Sequence, residues 1–154
     1  MMAMDASTQA LPREHWQVPL VWVYGTLRQG ERNHWLLKER AEYRGRHTCN
    51  GQLYAIEDPV EALYPAVILQ SQADPVVGEL FYLPEAVRAQ VYRDLDILEE
   101  IGINLYQVVS LPTLDAVAYV AGPSLWQYLQ TTPELKVRQI PGDWSQYRQQ
   151  GCSH

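Results

Sequence analysis

The feature that most constrains the fold is an almost uninterrupted apolar run near the start of the chain. Residues 18–24 read VPLVWVY and are followed directly by Gly25. A short apolar run rich in β-branched and aromatic residues, bounded by a glycine, is typical of a strand buried on both faces of a sheet. We therefore predict a central strand here, ending in a glycine turn of the kind that commonly carries a functional site.

One substantial helix and several short strands are predicted after this run. Residues 84–99 begin with proline and glutamate, and their apolar residues recur at spacings of four, four and three, which predicts an amphipathic helix. Residues 41–56 are interpreted as two strands joined by an Asn50-Gly51 turn, because Asn-Gly is a strong hairpin signal. Further strands are predicted over 64–69, 76–83, 106–111 and 116–120, short helices over 30–38 and 124–130, and a turn over 140–144. Because these segments do not alternate as βαβ units, we expect a largely antiparallel sheet or barrel with helices packed on it.

The length of 154 residues favours a single domain, which we assign to residues 18–147. Residues 1–17 are polar and aperiodic, so we expect a mobile extension, and residues 148–154 are interpreted as a polar tail. The start of the chain has neither the basic segment nor the apolar stretch of a signal peptide. The expected location is therefore cytoplasmic.

Several classes of partner are disfavoured by the charge and by the reactive side chains. The 12 Lys and Arg residues against 18 Asp and Glu residues give a net charge of −6, which argues against a nucleic-acid partner because phosphate binding needs a basic face. No apolar run approaches the roughly 18 residues that span a bilayer, so no membrane partner is expected. Cys49 and Cys152 lie about a hundred residues apart, and the histidines show no ligand spacing. We therefore expect no disulfide, no metal and no cofactor.

The turn after the predicted central strand, residues 24–27, is the first candidate for a binding site. Its backbone N–H groups cannot all take part in sheet pairing, and glycine lets a ligand approach the main chain closely. Consecutive outward N–H groups can hold a carboxylate or an oxyanion. The alternative is a tight turn in which Gly25 is needed only for a positive φ, with Arg28 and Arg32 as ordinary surface residues.

The acidic end of the predicted helix is the second candidate. Glu99 follows Leu95 by four residues and therefore shares the apolar face of the helix, whereas Asp96 aligns with Arg93 on the polar face. Partial burial and the negative end of the helix dipole should both raise the pKa of Glu99, which suits a general acid and base at neutral pH. The alternative is a fraying acidic turn in which Glu99 is exposed.

Three motifs occur in order along the chain: YGTLRQG at 24–30 with Asn33 behind it, LDILE at 95–99 and IPGDW at 140–144. In this order and spacing they resemble the γ-glutamylcyclotransferase-like (AIG2-like) family, and the likeness extends over about residues 20–144. The resemblance implies an α+β fold, namely a small mixed, largely antiparallel β-barrel with packed helices. It also implies that the cavity of this fold binds a γ-glutamyl group.

Functional roles follow from the same resemblance. Glu99 matches the catalytic glutamate of the family, and Tyr119 falls on a strand that borders the cavity. The residues that match the substrate-cradling loop are Tyr24, Gly25, Thr26 and Leu27. In the family's reaction the glutamyl α-amine attacks the γ-carbonyl of the same molecule, which releases 5-oxoproline and the amine once attached there. The resemblance thus implies an acyltransferase or lyase that acts on a small γ-glutamyl substrate, with Glu99 as general acid and base.

The sequence departs from the family pattern at two points after Glu99. Glu100 stands where glycine is usual, with a glycine only at Gly102, and Val108 stands after Gln107 where arginine is usual. A non-catalytic module of the same fold that binds a small molecule is therefore the alternative function. A third possibility is a surface for a protein partner, formed by exposed tryptophans and tyrosines.

Overall fold

The computed structural model describes residues 14–59, 62–99 and 105–152, and these form a mixed sheet with packed helices. The strands are β1 (Leu20–Val23), β2 (Glu42–Asp58), β3 (Ala62–Leu69), β4 (Pro75–Tyr82), β5 (Tyr106–Leu111), β6 (Ala116–Ala121) and β7 (Lys136–Ile140). The helices are α1 (Glu85–Leu98), α2 (Pro123–Thr131) and α3 (Trp144–Cys152), with short 3-10 helices at Glu14–Gln17 and His34–Leu36. The predicted α+β class is confirmed. The short helix predicted over 30–38 is reduced to the 3-10 helix His34–Leu36.

Strand β1 lies inside the sheet, as its apolar sequence predicts. Within the described residues the strand order is β3-β2-β4-β1-β6-β5, and β7 pairs with β2. Strand β1 is parallel to β6, and all other pairings between described strands are antiparallel. Strand β3 also packs against β6 without pairing to it. The predicted mixed, largely antiparallel architecture is confirmed, and hydrogen bonds between the described strands do not close it into a full barrel.

Both faces of β1 are covered by apolar side chains. Val21 and Val23 pack in one cluster with Leu95 of α1, whereas Trp22 packs in a second cluster with Trp144 of α3. This double burial explains the nearly continuous apolar sequence of β1, because neither face of the strand meets solvent. It also fixes in place the turn that follows the strand.

The predicted Asn50-Gly51 hairpin is wrong, because β2 runs without a break through both residues. The part of β2 up to Asn50 pairs with β4, and the part from Gly51 onward pairs with β3 and β7. Gly51 allows a close approach rather than a turn, since a Cβ there would lie 2.7 Å from the Ile68 carbonyl oxygen. Pairing of one long strand with two sets of neighbours therefore overrides the local hairpin signal.

The ends of the described chain form helices where the sequence predicts none. Residues 14–17, expected to belong to a mobile extension, form a 3-10 helix that packs against α1 and buries His15. Residues 148–152, expected to be a polar tail, continue helix α3. The remaining parts of these two segments, 1–13 and 153–154, lie outside the described residues.

The tryptophans contribute mainly to the interior. Trp22 and Trp144 are fully buried, Trp16 and Trp126 are half-buried, and Trp35 is exposed. No helix in the described part of the chain is long and apolar enough to cross a membrane. The cytoplasmic location expected from the sequence stays a prediction.

Candidate active site

A cavity of about 550 Å³ lies between the turn after β1 and the C-terminal end of α1. All of the candidate site residues from the sequence line it, namely Tyr24, Gly25, Thr26, Leu27, Glu99 and Tyr119. Their positions in the chain are far apart, so the fold itself brings them together. The structure therefore unites the two candidate features, the glycine turn and the acidic helix end, in one place.

The turn after β1 is shaped by contacts rather than by an unusual glycine conformation. Gly25 is not among the described residues with positive φ, so the alternative interpretation of this glycine is wrong. A Cβ on Gly25 would lie 2.3 Å from Cγ of Pro65, which means that only glycine fits against this proline. Asn33 holds the turn from behind, because its backbone N–H donates to the Thr26 carbonyl oxygen at 2.8 Å and its side chain donates to Thr26 Oγ1 at 2.9 Å.

The backbone donors of this turn are available for a ligand. No hydrogen bond between the described residues uses the N–H groups of Gly25, Thr26 or Leu27. Unused N–H groups at a cavity wall suit a carboxylate or an oxyanion, because such donors need a partner once water is displaced. The geometry thus agrees with the anion-binding role that the sequence suggests for this turn.

Arg28 anchors the turn to the rest of the fold. Its side chain is buried, so its expected role as a surface residue is wrong, whereas Arg32 is exposed at the cavity. The Arg28 guanidinium donates from Nε to Glu79 at 3.1 Å and from Nη1 to Asp143 at 3.0 Å. Glu79 also accepts the Gln29 backbone N–H at 2.8 Å. These contacts connect the YGTLRQG and IPGDW motifs, which are far apart in the sequence.

Glu99 caps the C-terminal end of α1 and is half-buried at the cavity. Leu95 and Tyr92, which precede it on the same helix face, are fully buried. The alternative in which Glu99 is exposed in a fraying turn therefore does not hold, while the raised pKa expected for its carboxylate stays a prediction. Glu100 and Gly102, where the sequence departs from the family pattern, lie outside the described residues.

Two buried tyrosines stand beside Glu99. The Tyr24 hydroxyl donates to the Tyr119 carbonyl oxygen at 2.7 Å. Burial raises the pKa of Tyr24 well above its usual value, and the nearby Glu99 charge raises it further. Burial likewise raises the pKa of Tyr119, with Asp96 and then Glu99 adding to the effect. Both phenols therefore keep their protons at physiological pH, and both lie within electrostatic reach of Glu99.

The chain is similar to known proteins over most of its length. A family model described as gamma-glutamyl cyclotransferase, AIG2-like, matches residues 21–146. The chain belongs to this family. The family resemblance seen in the three sequence motifs is thus confirmed.

Two curated relatives and one solved structure illustrate the likeness. A putative gamma-glutamylcyclotransferase of Vibrio cholerae is 34% identical over 128 residues, which cover 82% of this chain and 96% of the relative. The gamma-L-glutamyl-butirosin B gamma-glutamyl cyclotransferase of Niallia circulans is 28% identical over 141 residues, which cover 88% of this chain and 81% of the relative. The crystal structure of an AIG2-like protein from Mus musculus matches with a TM-score of 0.51 and 25% identity, over 69% of this chain and 80% of that one.

One buried carboxylate that contacts a residue of the cavity lining was missed by the sequence analysis. Asp96 is only 7% exposed, so its assignment to the polar helix face is wrong. It accepts a hydrogen bond from the Tyr119 hydroxyl at 2.5 Å and from Trp16 Nε1 at 2.8 Å, and His15 Nε2 lies 2.9 Å from its nearer oxygen. The spacing of three residues from Glu99 is the signal that could have indicated a shared helix face.

The described residues show no grouping suited to a metal. Among residues 14–59, 62–99 and 105–152, no three His, Cys, Asp or Glu side chains lie close enough together to hold an ion. Cys49 lies outside the cavity lining, and burial raises the pKa of its thiol to about 11. Among the described residues, the groups that line this cavity and can exchange protons or bind anions include carboxylates, phenols, the Arg32 guanidinium, hydroxyls and backbone N–H groups.

Proposed function

We propose that the chain is a γ-glutamylcyclotransferase that converts a γ-glutamyl amine or a small γ-glutamyl peptide to 5-oxoproline and the free amine. The observation that carries this proposal is that Glu99 and the turn of residues 24–27 line the same cavity. Membership of the family and the names of two relatives support the type of reaction. The excess of acidic over basic residues supports a small-molecule substrate rather than a nucleic acid, and we expect the enzyme to act in the cytoplasm.

The proposed reaction needs a group that moves one proton and donors that stabilise one negative oxygen. The neutral α-amino nitrogen attacks the γ-carbonyl carbon of the same molecule and closes a five-membered ring. It gives one proton to the Glu99 carboxylate, and the negative charge that develops on the carbonyl oxygen is bound by N–H groups of Gly25, Thr26 or Leu27. Glu99 then returns the proton to the departing nitrogen as the old C–N bond breaks. Because both reacting groups belong to one molecule, holding the substrate in a folded conformation supplies much of the acceleration.

The proposal is tested by supplying the protein with a panel of γ-glutamyl dipeptides, γ-glutamyl alkylamines and γ-glutamyl-ε-lysine. We expect at least one substrate to give 5-oxoproline and the free amine in equal amounts, measured by chromatography. The alternative, a binding module without chemistry, predicts that the same compounds raise the melting temperature without forming product. That second outcome would contradict the proposed enzyme.

Replacing Gly25 with alanine is expected to lower kcat/KM for 5-oxoproline formation by at least about tenfold. The added Cβ would meet Pro65 Cγ at 2.3 Å, and the proline is held in β3, so the turn must move away from the cavity wall. Overpacking of this kind also lowers the free energy of unfolding by about 1–3 kcal/mol. Steady-state kinetics and urea unfolding measure the two effects.

Gly30→Ala is the matched control for this substitution. Gly30 has a φ of +82°, so alanine strains the backbone there, but its Cβ would meet no atom within 4 Å. We expect Gly30→Ala to lower stability by about 1 kcal/mol while kcat/KM stays within about twofold of the wild-type value. Equal losses of kcat/KM in the two variants would contradict a specific role for the shape of the turn at Gly25.

A further inference from the structure

The hydrogen bonds of Asp96 determine how the Tyr119 hydroxyl can serve a ligand. A phenol has one proton to donate and a pair of acceptor positions on its oxygen. The Tyr119 proton is directed to Asp96, which is not part of the cavity wall. What Tyr119 can offer to a molecule in the cavity is therefore the acceptor capacity of its oxygen.

The Tyr24 hydroxyl is oriented in the same sense. Its proton goes to the Tyr119 carbonyl oxygen, and the Val67 backbone N–H donates to its oxygen, so this phenol keeps one acceptor position for the cavity. The Glu99 carboxylate and the two phenol oxygens are hydrogen-bond acceptors and form one side of the site, which we call the accepting side. The unused N–H groups of residues 25–27 are hydrogen-bond donors and form the other side. A γ-glutamyl group needs both sides, because its α-nitrogen donates hydrogen bonds while its γ-carbonyl and carboxylate oxygens accept them.

We propose that Asp96 is a positioning residue which, by accepting the Tyr119 proton, makes the Tyr119 oxygen the acceptor for the N–H of the glutamyl α-nitrogen. This inference rests on the proposed function, since it concerns how the same cavity holds a γ-glutamyl group. It gives Tyr119 a defined partner on the substrate. It also gives the 3-10 helix Glu14–Gln17 a role in holding the site, because Trp16 of this helix donates to Asp96. The high pKa of Tyr119, raised by burial and by Asp96, agrees with a phenol that keeps its proton throughout the working pH range.

Trp16 keeps the Asp96 carboxylate in one orientation. The indole N–H can only donate, and it points to Asp96 Oδ2, while the Tyr119 hydroxyl points to Oδ1. In an Asp96→Asn variant the amide oxygen must face Trp16, because the indole cannot accept a hydrogen bond from an NH₂ group. The amide nitrogen then faces Tyr119, whose hydroxyl can reverse and accept, and also His15 Nε2, which lies 2.9 Å from the same position and can accept when its proton is on Nδ1. The proton of the Tyr119 hydroxyl would then point into the cavity, where it would repel an N–H group of a ligand, and the hydroxyl oxygen would no longer accept a hydrogen bond from that group.

The test compares two ligands that cannot turn over: 5-oxo-L-proline and 3-oxocyclopentane-1-carboxylate, in which a CH₂ group replaces the ring N–H. Binding of each to the full chain is measured by isothermal titration calorimetry. We expect wild-type protein to bind 5-oxo-L-proline about three- to tenfold more tightly, as one hydrogen bond supplies. Asp96→Asn and Tyr119→Phe should bind the two ligands within about twofold of each other. A partly unfolded variant weakens both ligands equally, so the ratio still reports the hydrogen bond.

Tyr92→Phe is the matched control, because the Tyr92 hydroxyl is also buried but donates to the Val18 carbonyl oxygen and lies outside the cavity lining. The Tyr92→Phe variant should bind 5-oxo-L-proline more tightly than 3-oxocyclopentane-1-carboxylate, as the wild-type protein does.

Three results would overturn the inference: an equal affinity of the wild-type protein for the two ligands, no binding of 5-oxo-L-proline, or a preference for 5-oxo-L-proline that is retained in Asp96→Asn. If the wild-type protein prefers 5-oxo-L-proline over 3-oxocyclopentane-1-carboxylate but forms no 5-oxoproline from γ-glutamyl substrates, the proposed function is contradicted and the inference about Asp96 is not.

Discussion

The Glu99→Gln variant is expected to lose at least about a hundredfold in kcat for 5-oxoproline formation, with a KM that changes far less. Glutamine has nearly the same shape as glutamate but can neither take a proton from the attacking nitrogen nor return one to the departing nitrogen. Proton transfer by a positioned side chain typically contributes 10²- to 10⁴-fold to a rate. Because Glu99 is half-buried at the end of α1, the substitution should leave the fold intact. Initial rates measured over a range of substrate concentrations separate kcat from KM.

Asp94→Asn is the matched control, since it makes the same change of carboxylate to amide on the same helix. Asp94 pairs with Arg40 at 3.0 Å on the partly exposed side of α1 and does not line the cavity. Its loss should leave kcat within about twofold and lower the free energy of unfolding by at most about 1 kcal/mol. Undiminished 5-oxoproline formation by Glu99→Gln would remove Glu99 from the mechanism.

Strands and helices in which buried positions leave a regular apolar pattern could be predicted from the sequence. Strand β1 and helix α1 were found because burial of both strand faces, or of one helix face, leaves a periodic apolar pattern. Strand β7 was missed because four of its five residues are exposed, so backbone pairing with β2 holds it rather than its own apolar side chains. Helix α3 was missed for a similar reason, since apart from Trp144 its sequence is largely polar.

The site residues also fall into a group that could be predicted from the sequence and a group that could not. Glu99 and the turn after β1 were predicted because their motifs are local in the sequence and resemble those of a family. Asp96 and Arg28 were assigned to surfaces because a charged side chain is exposed unless something pairs with it. Their partners are remote, since His15 lies 81 residues from Asp96 and Glu79 lies 51 residues from Arg28. No local pattern reports such pairs, so only the folded chain shows that these charges are buried.

The Arg28→Met variant is expected to lower the free energy of unfolding by about 3–5 kcal/mol, the largest loss of stability that we predict for a single substitution in this chain. Arg28 is 2% exposed and Glu79 is 5% exposed, so removing the guanidinium leaves a buried carboxylate without its partner charge. Breaking one side of a buried ion pair has an effect of this size because the remaining charge cannot recover its hydration. Urea unfolding followed by tryptophan fluorescence measures the change as a lower midpoint with an unchanged m-value.

Two further variants identify the cause of that loss. Arg44→Met removes an arginine paired with Glu42 at an exposed surface, and it should change the free energy of unfolding by about 0–1 kcal/mol. The double variant Arg28→Met/Glu79→Met removes both buried charges and should regain part of the loss, because an apolar pair can fill the space that the ion pair occupied. If the double variant is no more stable than Arg28→Met, the unpaired carboxylate is not the cause. Because Arg28 also donates to Asp143 of the IPGDW segment, and the double variant does not restore that contact, we expect the double variant to regain stability without regaining the full kcat/KM of the wild-type protein.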